Sequence, residues 1–457
     1  MTRVLLVATT TGYQTRAFGE AAERLGIDIA LATDRCKTLD DPWRDRAIPV
    51  RFHDEEASVA AIVREAWRAP FAGVLAVGDR PVIVAARAAA ALGLCFHPPD
   101  AACAGHNKRL TRERLRDAGL PVPWFASFAI DDPAPLRPGA VALPAVVKPL
   151  VLSGSRGVIR ANTAGELAAA HQRVARLLRS REVRALREAD SANILIEGYI
   201  PGDEYAVEGL LERGRLRVLA IFDKPDPLEG PFFEETIYVT PSRASAERQR
   251  AIESGVAAAA AAIGLRDGPI HAECRVVPCG FRHQEDDASS NMAPVEAGTH
   301  VSRGVAHAEA GAHEHVYILE VAARPIGGLC ARALRFTDGA SDIPFEELLL
   351  RHAIGEPSSA WTREAVASGV LMIPIPHRGV YRRVDGLDAA RAVPGITDIR
   401  ITARPDQLLV PLPEGGSYLG FVFARADDPA SVERALRAAH ARLAFAIERP
   451  MPMVSSG

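Results

Sequence analysis

Two segments far apart in this chain carry the residue types that phosphoryl transfer requires. The first is VVKPLVLSGSRGV, in which Lys148 precedes a loop of small residues, Ser153, Gly154, Ser155 and Gly157, with one cation, Arg156, among them. The second is split between HAECRVV and YILEVAARPIGG, which carry Glu273, Glu320 and Arg324. A polyphosphate needs backbone N–H groups aimed at its oxygens and a cation close by, and glycine lets the backbone approach. A Gly/Ser turn between two strands has the same composition for structural reasons alone. Lys148 changes that balance, because it closes the apolar strand ALPAVV, where a charge needs a partner. Carboxylates on adjacent strands suit magnesium, and a guanidinium suits an anionic intermediate. Together these parts fit transfer of a phosphoryl group from ATP to an acid.

Other candidates lie between these segments. In ILIEGYIPGDEYAVE, Glu197 ends an apolar strand and Glu204 follows seven residues on. An acid there can bond ribose hydroxyls, although two solvated glutamates flanking a Pro201-Gly202 turn would read the same way. Lys224, in AIFDKPD, is either a phosphate contact or a surface lysine. His271 shares a strand face with Glu273; a hydrogen-bonded structural histidine accounts for it as well as a substrate contact does. The polar stretch 279–316 holds His283, His300, His307, His313 and His315 at irregular spacing, which reads as a solvated surface insertion rather than a metal site.

The elements that must position these residues follow from periodicity. RVLLVA, IDIALAT, FAGVLAVGD and LCFHPP read as strands, alternating with the helical runs AFGEAAERLG and PVIVAARAAAALG, which implies a covered parallel sheet ending near residue 104. HNKRLTRERLRDAGLPVP reads as a helix stopped at Gly119 and Pro121. A mixed α+β region follows to about 355, including an Ala-rich helix at 256–263. LMIPIP, GVYRRV, TDIRIT, QLLVPLP and YLGFVFAR then read as strands of a smaller domain closed by the helix SVERALRAAHARLAFAI.

Composition sets outer bounds. At 457 residues the chain is too long for a single compact core. A hydrophobic content of 48%, with 24% charged residues, fits a soluble globular protein. A net charge of −3 argues against a nucleic-acid partner held by a basic field. No apolar run is long enough to span a bilayer, and MTRVLLVATTTGYQ reads as a buried first strand rather than a leader. Six scattered cysteines without a CxxC pair predict free thiols in a reducing cytoplasm.

The order Lys108, Lys148, SGSRGV, ILIEGYIPGDEY, HAE, EVAAR resembles the ATP-grasp superfamily over roughly residues 1–355. The resemblance implies an α/β and α+β ATP-grasp fold with an N-terminal Rossmann-like (pre-ATP-grasp) domain, 1–104. An ATP-grasp domain, 105–355, follows, with a lid subdomain at about 115–190, and a small C-terminal domain occupies 356–457. It implies that Lys108, Lys148 and the loop Ser153, Gly154, Ser155, Arg156 and Gly157 contact ATP phosphates, with Lys224 as a further contact. Glu197 would be the hinge acid near adenine and Glu204 the ribose acid. Glu273 and Glu320 would hold magnesium, with manganese as a substitute, and Arg324 would be catalytic. One departure stands out: Ala322 occupies the place of the superfamily's usual asparagine ligand.

Within that superfamily, GPFFEETIYVTPS, EVAARPIGG, GVYRRVDGLDAARAVPGI and YLGFVFAR are similar to L-amino acid ligases and the related carnosine-synthase-like proteins. This implies an ADP-forming C–N ligase that makes an amide through an acyl phosphate, joining two amino acids. Glu234, Glu235, His271, Gly327 and Gly328 would face substrate. Small carboxylates and amines would be the partners, with neither nucleic acid nor membrane, and a homodimer is compatible with the superfamily. A carboxylase or formate-dependent transferase of purine-pathway type would share every ATP residue and differ in the acceptor pocket. A nucleotide-binding protein without turnover is a third reading, supported by Ala322 alone.

Overall fold

The computed structural model describes residues 2–9, 14–34, 47–277 and 314–449. The insertion expected at 279–316 therefore lies almost wholly outside the described residues, together with His283, His300, His307, His313, Cys36 and Cys279.

The chain opens with a four-stranded parallel sheet in the order Ile48–Pro49, Asp28–Thr33, Arg3–Ala8, Gly73–Val77. Arg3–Ala8 and Gly73–Val77 read as apolar runs because helices cover both faces. Helix Asp79–Leu92 begins immediately after Gly78, whose φ of 90° turns the chain sharply from strand to helix. Residues 94–98, expected as a strand, form none. Pro98 and Pro99 have no N–H to donate to a ladder, Pro99 starts the helix Pro99–His106, and the His97 ring is tied to the Pro269 carbonyl at 3.0 Å. The boundary expected at 104 falls inside that helix.

A second, antiparallel sheet has the order Phe125–Ala129, Asn193–Gly198, Ala145–Pro149, Ile159–Ala161. Helix Ala164–Leu178 packs against it. Thr163 accepts from the Glu166 amide, and the Glu166 carboxylate reaches back to the Asn162 amide, so the helix start is fixed from both sides. The sheet includes the Glu197 strand and so extends past the expected lid limit of 190.

The largest sheet has eight strands: His315–Ala322, Gly268–Val277, Asp203–Glu212, Arg215–Asp223, Ile237–Thr240, Ala367–Ile373, Gly420–Ala426 and Ile396–Ile401, in that order. Its last three strands come from the segment expected to be a separate C-terminal domain; Ala367–Ile373 pairs directly onto Ile237–Thr240, and the other two follow in turn, continuing the central sheet. Helix Ala246–Ile263 starts ten residues before the Ala-rich stretch, capped by Ser245. The final helix is shorter than expected: Pro429–His440 is helical, and Ala444–Glu448 is a strand paired with Gly379–Asp385. One apolar cluster joins the first sheet to the central one, Val7, Ile62 and Val84 sharing it with Ile270, Cys274 and Val321. Among the described residues no helix is long and apolar enough to cross a membrane.

Candidate active site

A cavity of about 380 Å³ lies where the first sheet, the small antiparallel sheet and the central sheet meet. Strand register explains its floor. Residues 204, 206 and 208 of one strand and 271, 273 and 275 of the next share a face, since side chains alternate. Glu273 pairs directly with Glu320 on the following strand, and an irregularity next to this pair brings both Leu319 and Glu320 to the cavity wall.

At one end lie Lys108, Lys148, Ser153, Gly154 and Ser155. Lys148 is buried, and its Nζ lies 2.5 Å from Glu197 Oε1. The other Glu197 oxygen accepts from Arg112 Nε at 2.9 Å, and Arg112, fully buried, also donates to the Ile318 carbonyl. Burial alone would raise the Glu197 carboxyl, but Arg112 and Lys148 outweigh it and hold the group down at about 2. Burial pushes the Lys148 ammonium down to about 8, against the pull of Glu197. Lys108 donates to the Leu152 carbonyl at 2.7 Å, and its Nζ lies 4.0 Å from Glu320. Gly154 (φ 64°) and Ser155 (φ 54°) are both left-handed, so successive N–H groups turn to one side.

Two members of this loop do not reach the cavity. Arg156 turns outward, donating to the Glu414 carbonyl at 2.7 Å and to Glu182 at 2.9 Å. Gly157 donates its N–H to the Pro413 carbonyl at 2.7 Å, and a Cβ there would lie 2.8 Å from the Pro149 ring. Both dock the loop onto the C-terminal segment rather than face a ligand.

Deeper in the cavity, Glu204 is fixed by Lys224 (2.8 Å) and Arg275 (2.8 Å). The Arg275 guanidinium lies over Tyr199 and Phe233, which stack on each other with centroids 6.4 Å apart. Lys224 does not line the cavity; its ammonium sits behind the wall, bonded to Glu204, Glu235 (2.5 Å) and Glu273 (3.1 Å). Burial opposes that charge, but the three carboxylates outweigh it and hold the lysine protonated. Burial would raise Glu273, yet Lys224 and His271 keep it well below the usual carboxylate range. Glu235 goes the other way: burial and the Glu273 charge push it up to about 7 despite Lys224. Glu234, its neighbour, does not line the cavity.

His271 is held by Glu208, fully buried, through Nδ1, and its Nε2 lies 3.5 Å from Glu273. Burial would lower its pKa, but Glu208 and Glu273 raise it to about 9, so the ring is an imidazolium at neutral pH. The second Glu208 oxygen accepts the Ile326 N–H at 3.1 Å, which fixes the loop carrying Gly327 and Gly328 against the same strand. Arg324 donates from Nε to Asp79 at 2.7 Å. The far wall is apolar and aromatic: Cys330, Met372, Tyr418 and Phe421.

The donor chemistry accommodates a divalent cation. Glu204, Glu235 and Glu273 place carboxylate oxygens within 4.8 Å of one another, but the Lys224 ammonium already lies among them. Glu273 and Glu320, on facing strand positions, both line the cavity, and buried Ala322 adds no oxygen. Such a site fits an ion that completes its shell with phosphate oxygens and water.

Asp79, Arg112, Glu208 and Arg275 escape the sequence reading, as does Tyr238, whose hydroxyl donates to Glu235 at 2.7 Å. Arg275 was accessible through its spacing of two from Glu273, and Asp79 through its place at the carboxyl end of a parallel strand. Arg112 sits in the highly charged run KRLTRERLRD, where nothing distinguishes it from its neighbours.

Comparison with known proteins agrees with this geometry. Residues 19–96 match the model of the ATP-grasp N-terminal domain, 141–281 that of the ATP-grasp domain, and 371–448 that of L-amino acid ligase C-terminal domain 2. The crystal structure of L-amino acid ligase from Bacillus licheniformis superposes with a TM-score of 0.76 at 25% identity, covering 98% of this chain and 99% of that one. An uncharacterised protein of Sinorhizobium fredii is 24% identical over 96% of this chain and 82% of its own length. A D-alanine–D-alanine ligase of Aromatoleum aromaticum is 32% identical over 150 residues, which span 44% of that enzyme. Since the ATP-grasp segments and the ligase-type C-terminal segment lie on one chain that follows a ligase along its whole length, the protein carries ATP-grasp domains, resembles L-amino acid ligases, and is an ATP-dependent, ADP-forming C–N ligase.

Proposed function

We propose that the protein joins two amino acids into a dipeptide through an acyl phosphate. The observation that carries this reading is a single cavity with a cationic, loop-covered end, a carboxylate floor and an apolar far wall. ATP would lie with its base beside Tyr199, Ile200 and Phe233, and its phosphates between Lys108, Lys148 and the Ser153–Gly154–Ser155 turn. Glu197 would hold Lys148 rather than bond the nucleotide itself, and Glu204 would face the ribose.

A carboxylate oxygen of the first amino acid attacks the γ-phosphorus, and the bond to the β-phosphate oxygen breaks to release ADP. Lys148, Lys108 and Arg324 offset the charge that gathers there. Magnesium, or manganese, held by Glu273 and Glu320, would supply further neutralisation of the phosphate oxygens. The amine of the second amino acid, having lost a proton, attacks the acyl carbon; phosphate leaves and an amide remains. Glu235 and the His271 imidazolium flank this end and would orient the polar groups of the amino acids. Gly327 and Gly328 leave room for their backbones. The small antiparallel sheet and its loop would close over the phosphates and keep water from the acyl phosphate.

The far wall favours amino acids over bicarbonate or formate. Cys330, Met372, Tyr418 and Phe421 supply room and apolar surface that a side chain can use and a small anion cannot. A matrix of amino-acid pairs, assayed for phosphate release with mass spectrometry of products, tests the reading. Turnover that needs two amino acids and yields the matching amide mass supports it; turnover with bicarbonate or formate alone overturns it.

A further inference from the structure

Asp79 lies outside the carboxylate floor and outside every role assigned above. It is the first residue of helix Asp79–Leu92 in the first sheet's domain, yet it lines the cavity. Its Oδ1 accepts from Arg324 Nε at 2.7 Å, and Ser153, which lines the same cavity, helps to hold its carboxyl down. Arg324 follows the edge strand His315–Ala322 of the central sheet, and Ser153 belongs to the loop of the small sheet. One carboxylate thus ties together groups from three parts of the molecule. The Arg324 side chain is further fixed by donation from Nη1 to the Pro325 carbonyl at 3.0 Å. Burial would raise the Asp79 carboxyl, but Arg324 holds it ionised, well below the usual carboxylate range.

We propose that Asp79 is a positioning residue that aims the Arg324 guanidinium at the reacting carboxylate and, through Ser153, links that aim to seating of the phosphate loop. The inference rests on the reading of Arg324 as the cation facing the acyl phosphate. A guanidinium held by one bond to its own backbone can swing, and misplacement of a charge by about 1 Å costs on the order of 100-fold in rate. Because Ser153 of the loop also helps to hold the Asp79 carboxyl down, an open loop would leave that carboxylate to Arg324 alone.

The test uses the full-length enzyme with an amino-acid pair that supports turnover. Asp79→Asn should lower kcat about 10- to 100-fold while the KM for ATP stays within about twofold, and Asp79→Glu should recover part of the loss. In an Arg324→Lys background, Asp79→Asn should add little, since both changes act on one interaction. A kcat for Asp79→Asn within about twofold of native overturns the proposal, as does full additivity with Arg324→Lys. A second readout needs no amino acid. Addition of ATP should protect the loop 151–158 from amide hydrogen exchange in the native enzyme, and Asp79→Asn and Ser153→Ala should each reduce that protection. Equal protection in all three proteins overturns the link to the loop. If the native enzyme shows no amino-acid-dependent turnover, the ligation reading fails, and the exchange experiment still decides the role of Asp79.

Discussion

Lys148 Nζ and Glu197 Oε1 lie 2.5 Å apart in a buried pocket whose third member is Arg112. Both partners shift downward, Glu197 from 4.5 to about 2 and Lys148 from 10.5 to about 8, and the two shifts act on stability in opposite senses. The Glu197 shift contributes stability that is present above pH 4.5 and lost as pH falls through 2. The Lys148 shift works against folding whenever the lysine is charged, fully so below pH 8. At neutral pH the two work against each other, and the pair serves to hold the lysine in place.

Removing one partner is a different matter. Glu197→Ala leaves two buried cations without their anion and should destabilise the fold by about 3–5 kcal/mol. Urea melts at neutral pH measure this; a loss below about 1 kcal/mol would mean that the pocket relaxes or takes up water.

His271 should stay charged through neutrality. Its raised pKa, to about 9, means its ion pair with Glu208 contributes stability fully below pH 6.5 and loses it as pH rises through 9. Titration of the metal-free protein followed by imidazole NMR should place the midpoint above pH 8. A midpoint near 6.5 would show that Glu208 does not hold the ring.

Glu320→Gln should leave metal-free nucleotide binding within a few-fold of native and lower magnesium-dependent turnover at least about 100-fold. Nucleotide fluorescence titration and phosphate release separate the two effects. Turnover unaffected by the substitution would remove Glu320 from the metal site.

The loop 411–416 of the C-terminal segment latches the small sheet in place. Arg173 grips the Glu414 carboxylate through two nitrogens, Arg156 donates to the Glu414 carbonyl, and Gly157 to the Pro413 carbonyl. The Arg173–Glu414 pair is more than a third exposed, so its worth is no more than about 1 kcal/mol. Glu414→Ala should therefore raise the KM for ATP about two- to fivefold with little change in thermal midpoint. An unchanged KM would mean that the latch does not bear on nucleotide binding.

Legibility in the sequence tracked local contrast. Lys148, Glu273 and Glu320 stand out because each interrupts an apolar strand, and the parallel sheet of the first domain because unbroken apolar runs alternate with helices. Loop composition identified Ser153–Gly154–Ser155, but not which way Arg156 turns, because that depends on Glu414, more than two hundred residues on. The continuous eight-stranded sheet was hidden for the same reason: the pairing of Ile237–Thr240 with Ala367–Ile373 leaves no mark within either segment. The end of the last helix was missed because ARLAFAI is rich in alanine and carries the period of a strand only through Phe445 and Ile447, which pack beside Tyr381. Asp79 looked like the end of a strand and Arg112 like an ordinary helix residue, since their partners come from other sheets.

Attack of an amino-acid carboxylate on the γ-phosphate of ATP is tested most directly by isotope transfer. With the first amino acid labelled with oxygen-18 in its carboxylate, the released phosphate should carry one labelled oxygen, left behind when the amine displaces phosphate from the acyl carbon. Unlabelled phosphate, released together with amide, would contradict the acyl-phosphate route.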